Sequence, residues 1–233
     1  MAPKIIASYD GTANEDDALA LAGLFARAGA EVSLAYVRHT HEPDKDRETL
    51  VDEEAQALLE RGAELLGAVP AAKYAVTDRS TPEGLRVLAQ KIGADAIVFC
   101  SDSHTAKGHV TIGNSAERLL EGGPVAIAIA PADLADGGPV AVRKIVAVGE
   151  AGGDGSAQRT AQALAGAFGA EVAPVADETA DLLVIESRVD AEPGHTLLSS
   201  SAVHLIEIAT SPVLVLARGV ALEFGAATAG VSA

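Results

Sequence analysis

A stretch of four residues near the start of the chain, Lys4-Ile5-Ile6-Ala7, returns 140 residues later as Lys144-Ile145-Val146-Ala147. The same spacing separates two identical stretches, Gly29–Val32 and Gly169–Val172. Repetition at a fixed spacing is the sequence signature of duplicated structural units, and it decides the architecture before any single helix or strand does. We therefore interpret this chain of 233 residues as two copies of one unit.

The second copy is shorter than the first, because the spacing between matching stretches falls from 140 to 86 residues in the middle of the unit. A last match lies at a spacing of 88 residues. These matches are Ala94-Asp95 with Ala180-Asp181, Ser115-Ala116 with Ser201-Ala202, and Pro124-Val125 with Pro212-Val213. The second copy thus lacks 54 residues. We predict a complete domain over residues 1–132, a shortened domain over residues 143–219 and a tail over residues 220–233.

Short apolar runs alternate with segments of helical periodicity in both copies. Ile5–Tyr9 is an apolar run before a turn, which is typical of a buried parallel strand, and Asn14–Ala28 has the spacing of a helix. This alternation predicts an α/β fold with two open parallel sheets, each with helices on both faces. The other predicted strands are residues 32–37, 74–76, 96–100, 125–130, 145–148, 172–175, 182–185 and 213–217, and the other helices are 48–66, 82–92, 115–121, 157–168 and 202–209. The 54 missing residues correspond to the second helix, third strand and third helix.

The composition excludes several classes of function. Asp and Glu number 33 against 17 Lys and Arg, so the formal net charge is −16. Such a chain is poorly suited to nucleic acids or anionic membranes, where affinity depends on neutralised phosphates. The apolar runs are far shorter than the roughly 20 residues of a membrane span, and we expect no signal peptide. Cys100 is the single cysteine, which fits a reducing compartment, and we expect a cytoplasmic protein.

Two loops of the first copy follow strands that should end at the same edge of a parallel sheet. Asp10-Gly11-Thr12 follows the first strand, and residues 101–113 follow the fourth. Ligands of open parallel sheets bind beyond the carboxyl ends of the strands, where the strand order reverses. The next helix begins near Gly113, where Asn114 and Glu117 have the spacing of a capping box. These loops and this helix start are the candidate binding site.

The sequence resembles the universal stress protein family, in particular its tandem two-domain members, through these loops and the segments around them. The resemblance covers nearly all of residues 1–132 and, in degenerate form, the second copy. The stretches that carry it are Asp10-Gly11-Thr12 before Ala18-Leu19, then Ala94-Asp95, Gly113–Leu120 and Pro124-Val125. It implies a five-stranded Rossmann-like sheet of order 3-2-1-4-5, truncated in the second copy, and dimerisation through the last strand.

Some members of the family bind ATP through a pattern of Gly, two residues, Gly, nine residues, then Gly followed by Ser or Thr. In this chain the pattern falls on Cys100, Ser103, Gly113 and Asn114, so the last glycine alone is kept. By this resemblance the candidate nucleotide contacts are Asp10, Gly11, Thr12, Val37, Ser101, Ser103, Gly113, Asn114 and Ser115.

The departures from this pattern have physical consequences. A side chain at Ser103 costs roughly 1–2 kcal/mol if the backbone there needs a positive φ, and it crowds a phosphate. Carboxylates around the site also oppose a triphosphate, although Mg²⁺ bound with the nucleotide would relieve the repulsion. The charged groups are Asp10, Glu15, Asp16, Asp17 and Asp102, against Lys107, His104 and His109.

The second copy departs further, because the pattern falls there on Glu186, Val189, Ser199 and Ser200. No glycine is kept, and Glu186 would aim a carboxylate at any phosphate. We therefore expect no nucleotide in this copy. We expect it to pair with the first copy through the last strands of the two.

Three functions remain open at this point. The first is a stress-response binding protein without turnover, in which the first domain could take ATP with Mg²⁺. It would associate through its last strands, as a pseudo-dimer within the chain and as a homodimer between chains. The second is an interaction scaffold whose nucleotide site has decayed. The third is a weak nucleotide hydrolase that uses Asp10 and the loop containing His104. We expect no metal site formed by the protein alone, and no catalytic residue in the first two cases.

Overall fold

The computed structural model describes residues 1–12, 14–39, 45–138, 140–173 and 180–225. In chain order its elements are β1 (Lys4–Ser8), α1 (Glu15–Arg27), β2 (Glu31–His39), α2 (Lys45–Leu66), β3 (Ala71–Asp78), α3 (Thr81–Ile92), β4 (Ala96–Cys100), α4 (Asn114–Leu120), β5 (Ala126–Ala130), a 3-10 turn (Ala135–Gly137), β6 (Lys144–Val148), α5 (Ser156–Phe168), β7 (Glu171–Ala173), β8 (Leu182–Ile185), α6 (Ser200–Glu207) and β9 (Val213–Val215). Each predicted element is present, with ends that differ by three residues at most where they are described.

The strands of the described residues form one nine-stranded sheet in the order β3-β2-β1-β4-β5-β9-β8-β6-β7. Its first five strands have the order that the family resemblance implies. Neighbouring strands run parallel, except that β5 and β9 are antiparallel. The two predicted sheets are therefore the halves of one continuous sheet, joined through the last strand of each copy as expected.

A pseudo-twofold axis passes through the junction of the two halves. Ala128 pairs with Leu214, and these residues are equivalent in the two copies at the spacing of 86. Exchange of the two copies also exchanges the flanking pairs, which are Ile127 with Val215 and Ile129 with Val213. We call residues up to Ala130 the first unit and residues from Lys144 the second unit.

The spacing of 86 holds through the last strand of each unit. In the first unit Ile97 pairs with Ile127, and in the second Leu183 pairs with Val213, so both partners shift by 86. The match of Pro124-Val125 with Pro212-Val213 at a spacing of 88 is thus not a structural equivalence. Two Pro-Val pairs fall near the same strand start, but the hydrogen-bonded register decides which residues correspond.

Helices cover both faces of the sheet, and each core continues across the junction. On one face, α1 and α5 bury residues such as Phe25 and Leu164 in a single cluster with both halves of the sheet. On the other, α3, α4 and α6 bury Leu85, Leu119 and Ile206 in a second shared cluster. Helix α2 adds a smaller cluster beside β2 in the first unit. No helix in the described part of the chain is long and apolar enough to cross a membrane.

The beginning of the predicted tail is part of the core. Leu222 and Phe224 are buried, and the ring of Phe224 stacks on Phe25 with centroids 5.5 Å apart. The Gly225 N–H donates to the Ala28 carbonyl (3.0 Å), and a Cβ on Gly29 would lie 2.3 Å from the Gly225 oxygen. The tail therefore crosses from the second unit back to α1, while residues 226–233 lie outside the described residues.

Candidate functional site

The loop that follows β4, residues 101–113, is closed at its base by Ser101. This serine is 2% exposed, its Oγ donates to the Ala130 carbonyl (2.7 Å), and the Oγ accepts the Thr111 N–H (3.1 Å). Asp102 accepts the His104 N–H through Oδ1 (3.0 Å). The hydroxyl of Ser101, a predicted nucleotide contact, thus joins the end of β5 to its own loop.

The far side of loop 101–113 contacts the second unit. Gly108 N–H donates to the Ala132 carbonyl (2.8 Å), which fixes the loop against the segment after β5. Val110 N–H then donates to the Ala209 carbonyl (3.1 Å), two residues after the end of α6. A loop that carries candidate ligand residues thus also joins the two units.

The equivalent loop of the second unit, residues 187–199, repeats these contacts. Ser187 Oγ donates to the Leu216 carbonyl (2.6 Å) and accepts the Leu197 N–H (3.0 Å). Thr196 N–H donates to the Gly123 carbonyl (2.9 Å) of the first unit, as Val110 does in the opposite direction. Each loop therefore hydrogen-bonds to the opposite unit, and the pseudo-twofold axis relates the two contacts.

The start of α4 leaves open space beside Gly113. A Cβ on this glycine would meet no atom within 4 Å, and its φ of −76° is accessible to any residue. Ser103 and Asn114 are exposed, and Ser115 is half-buried. Among the described residues Asp133 is the one non-glycine residue with positive φ (63°), so Ser103 does not have the positive φ on which the predicted strain depends. The exposed loop has room to place Ser103 in an ordinary backbone conformation.

The predicted capping box at Asn114 is also wrong. Helix α4 begins at Asn114, and its N-cap is Gly113, without a side-chain cap. The Glu117 N–H donates to the Gly113 carbonyl (2.9 Å), so the first turn is closed by the backbone. In α6, by contrast, the N-cap is Ser199, whose Oγ accepts the Ala202 N–H (3.1 Å).

The loop between β1 and α1 lies beside loop 101–113. The Asn14 Nδ2 donates to Cys100 Sγ (3.2 Å) and to the Ser101 carbonyl (3.3 Å), which ties the two candidate loops together. Asp10 Oδ1 accepts the Thr12 N–H (3.0 Å), and both residues are exposed. The sheet edge thus brings together the two loops that the sequence singled out.

Gly11 and Val37, two of the predicted nucleotide contacts, pack against helices α2 and α3. Gly11 has φ +82°, a backbone conformation that favours glycine, and a Cβ there would also have to displace Leu58 Cδ1 of α2, which lies 2.3 Å from its position. Val37 is 7% exposed, and a Cβ on Gly84 of α3 would lie 2.8 Å from Val37 Cγ1. The side chain of Val37 belongs to the core beside α3.

Glu15 and Asp10 form a carboxyl pair at the start of α1. The Asp10 N–H donates to Glu15 Oε2. Burial and, to a smaller extent, the neighbouring Asp10 carboxyl together raise the pKa of Glu15 to about 10, so Glu15 is protonated at neutral pH. Burial also acts to raise the pKa of Asp10, but hydrogen bonds with Glu15 and Thr12 outweigh it and leave that pKa below its usual value. The pair therefore carries one negative charge.

Cys100 ends β4 as an inert thiol. Burial raises its pKa to about 12, and the carboxyls of Glu15 and Asp10 act in the same direction. A thiol with this pKa is not a nucleophile at neutral pH. His104 and His109 are exposed on the loop. The described residues include no group of three His, Cys, Asp or Glu side chains that could hold a metal ion.

In the second unit the position equivalent to Cys100 is Glu186, which is 2% exposed. Its Oε1 accepts the Ser156 N–H (2.9 Å), and its Oε2 accepts the Glu150 N–H (3.0 Å). The side chain turns back across the end of β6 to the start of α5. From the sequence we expect Glu186 to aim a carboxylate at any phosphate; in the structure this carboxyl lies at the same edge of the sheet and is held by two backbone N–H groups.

The described architecture can be compared with known proteins. The model of the universal stress protein family matches residues 1–131. The chain belongs to this family. No curated protein sequence matches the chain.

Solved structures with a similar fold align over nearly the whole chain. A universal stress protein from Archaeoglobus fulgidus DSM 4304 aligns with a TM-score of 0.59 at 19% identity, over 93% of this chain and 98% of that one. A functionally unknown protein from Pseudomonas aeruginosa PAO1 aligns with a TM-score of 0.62 at 17% identity, over 93% of each chain. At these identities the likeness concerns the fold alone.

Sequence reasoning missed two residues that organise the family fold here. Asn14 joins the two loops, but nothing in its position before a helix pointed to a partner 86 residues away. Ser187 closes its loop as Ser101 does, and the spacing of 86 between these serines was a signal that could have found it.

Proposed function

We propose that this universal stress protein is a stress-response regulatory protein that acts by binding, without turnover, and that its first unit takes an adenine nucleotide. The nucleotide would lie at the edge formed by Asp10–Thr12 and loop 101–113. We base this on the difference between two equivalent positions. The first unit has the neutral thiol of Cys100 where the second has the buried carboxylate of Glu186.

The charges around the first site are also fewer than the sequence suggests. Glu15 is protonated at neutral pH. Asp17 is 4% exposed and accepts the N–H groups of Asp133 (2.9 Å) and Ala135 (2.8 Å), so it faces the segment after β5. Asp102 accepts a hydrogen bond from its own loop. Asp10 remains ionised, and a carboxylate at this edge suits the hydroxyls of a ribose.

The donor set fits the two ends of a nucleotide differently. Asp10 would accept from the ribose, while Ser103, Asn114 and Ser115, beside the open space at Gly113, would face the phosphates. Mg²⁺ would arrive with the phosphate oxygens, which it favours as ligands. The second unit would act as the built-in partner of the first.

Calorimetric titration with ATP, with and without Mg²⁺, tests the proposal in the full chain. We expect binding by the wild type and by Cys100→Ala, in which the edge stays neutral. In Cys100→Glu a carboxylate stands near the phosphates, and we expect binding at least about tenfold weaker because like charges repel in a partly buried site.

Two results would overturn nucleotide binding at this edge. If millimolar ATP gives no heat with the wild type, the interaction scaffold becomes the better function. Equal affinity of Cys100→Ala and Cys100→Glu would place the nucleotide elsewhere. Phosphate release that falls in His104→Ala and Asp10→Ala would instead favour the hydrolase.

A further inference from the structure

Glu186 is a buried acidic residue whose carboxylate has the surroundings of a bound anion. Both of its oxygens accept backbone N–H groups, from Ser156 at the start of α5 and from Glu150 in the loop after β6. The Ser156 Oγ lies 3.5 Å from Oε1. Backbone N–H groups at the start of a helix favour negative charge. In this unit the charge is supplied by a side chain of the same chain.

Two glycines make room for this carboxylate. A Cβ on Gly153 would lie 2.3 Å from Glu186 Oε2, which no side chain could tolerate without a shift of the carboxylate. A Cβ on Gly149 would lie 3.1 Å from the same oxygen. The β6–α5 loop is therefore shaped around the Glu186 carboxylate.

The first unit satisfies the equivalent backbone group in another way. Asp10 is the counterpart of Glu150 at the spacing of 140, and its N–H donates to the carboxyl of Glu15. Glu15 lies on α1, whereas Glu186 lies at the end of β8. Two carboxyls from unrelated positions thus accept the equivalent backbone N–H in the two units. The need for an acceptor therefore belongs to this turn of the fold and not to one side chain.

We propose that Glu186 is the built-in ligand of an oxyanion site in the second unit, formed by the N–H groups of Glu150 and Ser156. The site takes a carboxylate of the same chain, and it is closed to external oxyanions while Glu186 fills it. The neighbouring carboxyl of Asp154 accepts the N–H groups of Ser156 (2.8 Å) and Gly219 (2.6 Å), so Glu186 shares the Ser156 N–H with it, whereas the Glu150 N–H has Glu186 as its acceptor. This inference concerns the second unit and does not depend on nucleotide binding in the first.

Chemical rescue with acetate tests the proposal in the full chain. Glu186→Ala removes the atoms of one acetate ion and leaves the Glu150 N–H unpaired, while the Ser156 N–H keeps Asp154 as its acceptor. We expect the melting temperature to fall by on the order of 5 °C in chloride. Acetate at the same ionic strength should restore at least half of this loss, because a ligand of the folded state stabilises it. The wild type should not respond to acetate.

Asp181→Ala is the matched control. Asp181 also accepts two backbone N–H groups, those of Arg143 (2.8 Å) and Lys144 (2.9 Å), but at the opposite end of β6. Its loss should lower the melting temperature without rescue by acetate. Glu186→Gln still fills the site but sets an amide N–H against one donor, so we expect an intermediate loss and no acetate effect.

Three outcomes overturn the proposal. They are an equal response of Glu186→Ala and Asp181→Ala to acetate, the absence of any rescue, and full stability of Glu186→Gln. If Glu186→Ala folds only in acetate, the rescue is complete and the proposal stands. If Glu186→Ala folds in neither salt, the test is the stability of Glu186→Gln relative to the wild type. A lower stability supports the proposal, and an equal stability overturns it.

Discussion

Glu15 and Asp10 illustrate how position decides charge at the level of the residue. Both are acids with similar ordinary pKa values, yet Glu15 is protonated at neutral pH and Asp10 is ionised. Burial disfavours the charged form of Glu15, and the hydrogen bonds of Asp10 favour its charged form. A count of acidic residues near the site therefore overstates its negative charge.

The carboxyl of Glu15 predicts a pH dependence of stability. Its pKa is about 10 in the folded protein and ordinarily 4.5, so the folded state binds more protons between these values. The free energy of unfolding therefore falls as pH rises through this range. Glu15→Gln resembles the protonated form, and we expect it to be more stable than the wild type at pH 8 by about 1 kcal/mol, since the carboxyl is partly exposed.

Urea unfolding of the wild type and Glu15→Gln near pH 5 and pH 8 measures this difference. The advantage of the variant should shrink toward pH 5, because ionisation of Glu15 in the unfolded state, with its ordinary pKa of 4.5, favours unfolding much less there than at pH 8. Parallel stability curves for the two proteins would show that Glu15 is ionised in the folded state.

At the level of the element, one buried side chain joins helix α1 to the segment after β5. Asp17 accepts two N–H groups of this segment, and Asp133, one of the donors, has a φ of 63°. Lys107 also contacts Asp133, with Nζ 3.3 Å from Oδ2. The connection between the units is therefore held to α1 by specific contacts.

Asp17→Asn tests this attachment. An amide can accept one of the two N–H groups but opposes the other, so we expect the free energy of unfolding to fall by about 1–3 kcal/mol. Proteolysis within residues 131–138 should also become faster. Asp16→Asn is the control on the same turn, because Asp16 has no hydrogen bond to this segment in the described structure; an equal loss there would contradict the attachment.

The order of the elements was predictable from the sequence, whereas the contacts that close the site were not. Apolar runs such as that of β8 report burial, and Leu182–Ile185 was predicted with the bounds that the structure has. Periodicity does not report which partner a polar group meets. Ser101 binds a carbonyl 29 residues away, and Asp17 binds an N–H 116 residues away. Such partners depend on how the finished sheet brings distant loops together.

At the level of the whole molecule, the continuous sheet joins the two units into one structure. The central pair of Ala128 and Leu214 is fully buried, and the clusters on both faces extend across it. The hydrogen bonds of Val110 and Thr196 to the opposite units add contacts outside the sheet. Loss of packing at this junction should therefore destabilise both units.

Leu214→Ala tests this cooperativity. We expect a loss of about 2–5 kcal/mol, because a buried leucine is replaced by a smaller side chain. Hydrogen exchange should show β1 and β6 losing protection together in a single transition. Leu65→Ala, at a leucine that is 52% exposed, should change stability by less than about 0.5 kcal/mol. Exposure of β6 well before β1 would mean that the units unfold separately.

The pseudo-twofold axis has a consequence for how the two sites can change. In an assembly of identical chains, a single codon change appears in every copy of a site, so its benefit and its damage cannot be separated. Here positions 100 and 186 are encoded independently, although the fold places them in equivalent surroundings. One position can hold a cysteine and the other a glutamate, while the peptide chain keeps the two halves at a ratio of one to one. The duplicated chain can therefore inherit different residues at two equivalent positions, which a symmetric dimer of identical chains cannot do.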